Sequence, residues 1–162
     1  MARARDIPGL GPDIPMREAA ARTIQTRASE VFAHSAGVLD TGDIERVHDM
    51  RVATRRLRAA LEVFRPCFPK PQFKDALRDV KELADALGTR RDPDVALEAV
   101  EDIMAHLPAA ARPGIDAFED ELRADQAAGN ATLERALAHA VDSQLETRLL
   151  ELAVMATTTA AV

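Results

Sequence analysis

Residues 48–58 read His-Asp-Met-Arg-Val-Ala-Thr-Arg-Arg-Leu-Arg, and both the basic and the apolar side chains of this segment recur at helical spacing. One stripe of the helix is basic and carries His48, Arg51, Arg55 and Arg58. The neighbouring stripe is almost wholly apolar and carries Val47, Met50, Thr54, Leu57, Leu61 and Phe64. The segment therefore predicts a helix that buries one face and exposes a column of positive charge beside it.

Outside this segment, apolar residues also recur at steps of three and four, and no stretch alternates with period two. Prolines and glycines divide the pattern into about six helices. Their approximate ranges are 16–35, 44–65, 72–87, 93–106, 113–128 and 131–156. In this division Gly88 ends the third helix, and Gly129 with Asn130 ends the fifth. We predict an all-α fold of antiparallel helical hairpins.

Composition indicates one domain behind a short leader. Residues 1–15 contain three prolines and two glycines, which predicts a flexible leader. The rest of the 162-residue chain, 47% of which is hydrophobic, is long enough for a single core over residues 16–158. The single cysteine permits no intrachain disulfide, which favours a cytoplasmic protein.

Charge is distributed unevenly along the chain. The net charge is −6, yet residues 46–91 carry twelve basic and six acidic side chains, a net charge of +6. Residues 92–162 carry four basic and fourteen acidic side chains, a net charge of −10. A basic segment within an acidic protein predicts an anionic ligand. The alternative is that acidic and basic helices only pair with each other.

A second basic column lies on the third predicted helix, where Lys74, Arg78 and Lys81 share one stripe. Packing of the apolar stripes of the second and third helices should bring both basic columns together. Arginine offers forked donors and lysine a point charge, so the pair of columns suits a chain of phosphates. We therefore predict that inorganic polyphosphate binds there.

Other ligand and function classes fit the sequence poorly. Aromatic residues make up only 3%, so single-stranded nucleic acid lacks stacking partners and nucleic acid is not the expected ligand. No apolar run approaches the roughly 18 residues that cross a membrane. Neither a glycine-rich phosphate loop nor a nucleophile motif is present, so we expect no catalytic residues and no cofactor. His34, His106 and His139 lie in separate segments without ligand spacing, so we expect no metal site.

Two sequence blocks resemble the CHAD domain, the conserved histidine α-helical domain. The first runs from Val47 to Leu61 and is followed by Phe64. The second consists of Lys81, Leu83, Ala84, Leu87, Gly88, Arg91, Asp92, Asp94 and Val95. The resemblance implies an all-α protein that binds polyphosphate without catalysis and associates with polyphosphate granules. It assigns phosphate contacts to His48, Arg51, Arg55, Arg58, Lys81 and Arg91, to which helical geometry adds Lys74 and Arg78.

The chain departs from this family in length. CHAD domains commonly have two pseudo-symmetric helical halves, and this chain resembles the N-terminal half, either as a natural half-domain or as a fragment. Residues 133–152 carry an apolar stripe that we expect to be left bare by the missing half. We therefore predict a homodimer in which a second copy covers that stripe.

Two other functions stay open. The basic face could dock an acidic protein partner, which would make the chain a structural or interaction module. CHAD domains also accompany catalytic triphosphate-tunnel domains, so the chain could serve as an accessory to a triphosphate-handling enzyme.

Overall fold

The computed structural model describes residues 3–108 and 112–158, and every regular element in these ranges is helical. The elements are α1 (Met16–Ala33), α2 (Ile44–Val63), a short 3-10 helix (Arg65–Cys67), α3 (Lys70–Met104), α4 (Arg112–Asp142) and α5 (Leu145–Thr158). This arrangement confirms the predicted all-α class, with five α-helices in place of about six. Within the same ranges, no helix combines the length and the apolar character needed to cross a membrane.

Two antiparallel hairpins form the core. The first joins α1 to α2, the second joins the long helices α3 and α4, and α5 packs mainly against α1. The fully buried side chains are mostly aliphatic, with Ile24, Met50, Leu57, Leu61, Leu87, Leu133, Leu145, Leu149 and Leu152 the largest of them. Burial of each such side chain contributes about 1.5–3 kcal/mol, so the aliphatic stripes supply most of the energy that holds the helices together, and Phe68 and Phe73 add a buried aromatic pair.

The predicted break between the third and fourth helices is wrong, because α3 continues through Gly88 and Pro93 to Met104. Inside a helix a glycine costs about 1 kcal/mol and a proline about 3 kcal/mol relative to alanine. Packing outweighs this cost, since α3 buries Leu83 and Leu87 before the proline and Leu97 after it. Packing contacts on both sides of Gly88 and Pro93 therefore outweigh the local sequence signals that predict a helix end.

The predicted end of a helix at Gly129 is also wrong, because α4 continues to Asp142. A methyl group added at Gly129 would lie 2.9 Å from the carbonyl oxygen of Thr89 and 3.0 Å from the Cα atom of Arg90. The glycine therefore permits the close approach of α4 to α3 and does not stop the helix.

The chain instead turns at Gln144, whose φ of 52° lies in the left-handed region. This turn divides the helix predicted over 131–156 and sends α5 back onto α1. As a result Leu133, Leu145, Leu149 and Leu152 are all buried inside one chain. The expectation that this apolar stripe is bare was the reason for predicting a dimer, and that expectation is wrong for these four leucines, although Val141 of the same stripe is 73% exposed.

The leader lies against α1. A buried carboxylate, Glu30, accepts hydrogen bonds from the amide of Arg5 and from the guanidinium of Arg27, which lies 2.6 Å away. Arg27 also donates to the carbonyl of Arg5 over 3.0 Å, and Arg22 donates to that of Pro8 over 3.1 Å. Burial alone raises the pKa of Glu30, but the bonds from Arg27 and Arg5 and the charge of Arg56 together hold it below its usual value.

A pH dependence of stability follows from this carboxylate. A depressed pKa in the folded state means that ionised Glu30 stabilises the fold above its unfolded value of 4.5, and this contribution is lost as the pH falls through the folded pKa. We expect Glu30→Gln to lower the free energy of unfolding near neutral pH and to flatten its decline in acid. Urea unfolding at a series of pH values measures this. Parallel declines in the variant and the parent would contradict it.

Candidate anion-binding groove

The apolar face of α2 determines where its arginines point. Val47, Met50, Leu57 and Leu61 are at most 1% exposed, so this face is fixed against the core. The neighbouring stripe then borders α3, and a groove of about 440 Å³ opens between the two helices. The residues that line it are Arg51, Arg55, Arg58, Ala84, Asp85, Gly88, Thr89 and Asp92.

One wall of the groove is the arginine column. Arg51 and Arg55 are exposed, and neither has an ion pair with any residue in 3–108 or 113–158. Arg58 donates to Glu62, with 3.1 Å between its Nε and the carboxylate oxygen. Because this pair is exposed, a stronger anionic ligand could replace Glu62 at little cost. The wall therefore offers guanidinium groups that the fold itself does not use.

The opposite wall, on α3, is mixed in character. It carries two carboxylates, Asp85 and Asp92, with Gly88 between them. A methyl group added at Gly88 would meet no atom within 4 Å, so the glycine leaves open space in the groove. An anion entering here would meet the arginines on one side and would lie closest to the α3 backbone at Gly88.

The other predicted basic residues lie outside the groove lining. Lys74 borders a separate hollow with Arg65 and Lys70 near the start of α3. Arg78 pairs with Asp75 at 3.1 Å and with Asp79 at 3.0 Å. These two bases and Lys81 nevertheless share the helical stripe that continues as Asp85, Gly88 and Asp92. The groove-facing stripe of α3 thus changes from basic near its start to acidic beside Arg51.

Two further predicted residues are placed differently from the groove arginines. His48 is half-buried one turn before Arg51 and does not line the groove. The side chain of Arg91 is only 12% exposed, and its Nη2 lies 3.4 Å from Glu98. The structure thus brings three of the eight predicted residues together, and these three come from the basic stripe of α2.

A buried polar network behind the groove was not predicted from the sequence. Arg90 is 0% exposed, pairs with Asp94 and donates to Asn130 over 3.0 Å. Gln126 donates to the same Asp94 oxygen over 2.7 Å, and Asn130 donates to the carbonyl of Leu39 over 3.1 Å. The four-residue step from Arg90 to Asp94 was the available signal, because it places both on one helical face. This network fixes the part of α3 that carries Asp92.

Comparison with known proteins gives two findings. The sequence profile of the CHAD domain family matches residues 22–161. The crystal structure of the CHAD domain from the plant Ricinus communis is similar, with a TM-score of 0.72 and 25% sequence identity over 95% of this chain and 52% of that chain. The chain therefore spans about half the length of that structure. Among proteins with curated descriptions, none matches this chain.

Proposed function

Because the chain belongs to the CHAD domain family, we propose that it binds inorganic polyphosphate in the groove between α2 and α3. CHAD domains are associated with triphosphate-related proteins. The observation that supports polyphosphate as the ligand is the wall of three arginines, two of which have no ion pair in the described chain. Unused guanidinium groups in a groove favour a ligand that supplies the missing negative charge.

The spacing of the wall suits a repeating anion. Residues one helical turn apart lie about 5–6 Å from each other, roughly twice the separation of neighbouring phosphates in the polymer, so successive arginines can contact every second phosphate. Each guanidinium presents a planar fork of donors that fits two phosphate oxygens. Beyond Arg58, the α3 stripe becomes basic at Lys81 and Lys74, which gives a longer polymer further cations. Asp85 and Asp92 would repel it, so we place the polymer against α2.

We propose a binding role without catalysis. The eight residues that line the groove include no cysteine, serine or histidine to act as a nucleophile or proton shuttle. The one hydroxyl, of Thr89, donates to the Asp85 carbonyl over 3.1 Å. A binding protein of this kind would act where polyphosphate accumulates, so we propose a cytoplasmic location on polyphosphate granules.

Titration with long polyphosphate, short polyphosphate and duplex DNA at matched phosphate concentration tests this proposal. We expect long polyphosphate to bind most tightly, because several weak contacts act on one chain. If three phosphates are neutralised, a fourfold increase in salt should weaken binding about 20- to 40-fold. Equal affinity for DNA, or no salt dependence, would contradict the proposal.

Docking of a protein partner is the second candidate: the arginine wall would suit an acidic partner, and the mixed α3 wall favours one that also carries basic side chains. Asp85 and Asp92 facing Arg51 and Arg55 would complement a surface that carries both signs of charge. Such a partner would depend on shape, so its binding would not scale with polymer length. An accessory role beside a triphosphate-handling enzyme would use the same arginines on a shorter ligand, and short polyphosphate would then bind as tightly as long.

We also propose a homodimer, on a basis different from the one that the sequence suggested. Val95, Ile103 and Phe118 are each at least 50% exposed on the outer half of the α3–α4 hairpin. A second copy packed there would cover these side chains. Light scattering at micromolar protein should then give about twice the 17.6 kDa of one chain. A mass of one chain with polyphosphate binding intact would show that a single copy suffices.

A further inference from the structure

A second cluster of polar side chains lies on the side of α3 away from the arginine groove, where α3, α4 and α5 meet. Asp79 and Glu82 come from α3, and His139 comes from the last turn of α4. The two carboxylate oxygens and the imidazole nitrogen all lie within 4.8 Å of one another. They border a cavity of about 250 Å³ that is also lined by Leu83, Ala140 and Leu145.

We propose that Asp79, Glu82 and His139 form a binding site for a divalent transition-metal ion of the Zn²⁺ type. One nitrogen and two oxygen ligands, with water at a fourth position, is a coordination set that Zn²⁺ accepts. The sequence predicts no metal site, because His139 lies 57 or more residues from either carboxylate in the chain. The packing of α4 on α3 brings the three side chains close together in space.

The buried carboxylate is already held in place. Arg148 of α5 donates to one oxygen of Asp79, and Arg78 donates to the other over 3.0 Å. Arg148 is itself fixed by hydrogen bonds of 2.8 Å and 3.2 Å to the carbonyl and hydroxyl of Ser143. A carboxylate oxygen can accept more than one bond, so both oxygens keep a lone pair for a metal. Hydrogen bonds of this kind orient the carboxylates in metal sites.

The other two ligands can move to meet an ion. Glu82 and His139 are exposed, so rotation of their side chains can shorten the present separations without repacking the core. Burial alone raises the pKa of Asp79, but the hydrogen bonds and charge of Arg148 and Arg78 hold it below its usual range. The same arginines, with Arg135 at the cavity wall, add positive charge and should hold affinity below that of a structural zinc site.

The nitrogen ligand sets the expected selectivity. Mg²⁺ and Ca²⁺ prefer sites made wholly of oxygen, whereas imidazole suits Zn²⁺, Co²⁺ and Ni²⁺. An ion bound here would link α3 to α4 beside the start of α5. Because the site is on another face of α3, its occupancy is separable from binding in the arginine groove.

Calorimetric titration of chelator-treated, tag-free protein with Zn²⁺ alone tests the proposal. We expect one ion per chain, no competition from millimolar Mg²⁺, and with Co²⁺ the visible absorption of a nitrogen-containing site. Loss of a residue that only supports a metal ligand lowers metal affinity about 10- to 100-fold. His139→Ala and Glu82→Gln remove ligands themselves, so each should lower the affinity for Zn²⁺ by at least that factor. His106→Ala is the matched control, because His106 is an exposed histidine in the turn that follows α3, far from Asp79 and Glu82 in the helix.

The two variants replace exposed side chains, so circular dichroism should show the parental fold, and either variant alone suffices if the other fails to fold. Zn²⁺ affinity unchanged in both variants would overturn the proposal. So would equal losses in the His106→Ala control, displacement of Zn²⁺ by millimolar Mg²⁺, or absence of binding up to millimolar Zn²⁺.

Discussion

Replacement of Arg51, Arg55 and Arg58 together with alanine is expected to abolish polyphosphate binding while the protein stays folded. A hydrogen bond to a charged group contributes about 1.5–3 kcal/mol, so loss of three arginine–phosphate contacts should weaken binding about a thousandfold or more. The fold should survive, because Arg51 and Arg55 have no ion pairs in the described chain and Arg58 has only an exposed one. Calorimetry with long polyphosphate measures the loss, and thermal unfolding checks the fold.

A matched triple variant distinguishes the effect of losing the groove arginines from the effect of losing positive charge in general. Arg46, Arg123 and Arg135 lie outside the groove, so their replacement with alanine removes the same charge and should lower affinity only slightly. Gly88→Glu tests the α3 wall of the groove, since it places a carboxylate in open space without disturbing the core. We expect it to weaken binding and to leave stability unchanged or raised, because glycine is the poorer helix former. Equal losses in both triple variants would place the ligand elsewhere.

Replacement of Asp94 with alanine is expected to destabilise the fold by about 3–5 kcal/mol, because it leaves the guanidinium of Arg90 buried without its counter-charge. Arg90 and Asp94 are both fully buried, and each already has one polar atom without a partner in the described residues. For a chain of this size, such a loss lowers the melting temperature by roughly 6–20 °C. Urea unfolding followed by circular dichroism gives the free energy directly.

The double variant Arg90→Met with Asp94→Leu is the informative companion. Apolar replacement of both residues removes the uncompensated buried charge, so part of the lost stability should return; the rest should not, because Gln126 and Asn130 lose their hydrogen-bond partners. Because Arg90 does not line the groove, the double variant should also keep its polyphosphate affinity. A single variant as stable as the parent would mean that the network contributes little, and a stable double variant that no longer binds would give Arg90 a place in the site.

The sequence predicted the first two helices well and misjudged the next three for one physical reason. Met16 and Ile44 start α1 and α2 where the local signals predict. At Gly88, Pro93 and Gly129, however, the local preference for a break is worth only about 1–3 kcal/mol each. Burial of side chains between α3 and α4 outweighs that preference. The sequence pattern of one segment does not show which other helix packs against it. The turn at Gln144 was not predicted for the same reason.

The arginine column was predictable and its surroundings were not. Arg51, Arg55 and Arg58 share a stripe through helical periodicity alone, so the sequence could identify them as one wall. The opposite wall depends on which part of α3 packs beside α2, and this packing places Asp85 and Asp92 there instead of Lys74 and Arg78. Asn130 of α4, which accepts a hydrogen bond from Arg90, and the carboxylates of α3 that lie near His139 are likewise on other helices, so residue spacing within one segment does not predict them.

The most direct test of the central claim is an NMR titration that follows the arginine Nε–Hε resonances as polyphosphate is added. Binding in this groove predicts the largest changes at Arg51 and Arg55, a smaller change at Arg58 as it exchanges Glu62 for phosphate, and none at Arg123. Changes confined to arginines outside the groove, or spread evenly over all exposed arginines, would contradict the assignment of this groove as the polyphosphate site.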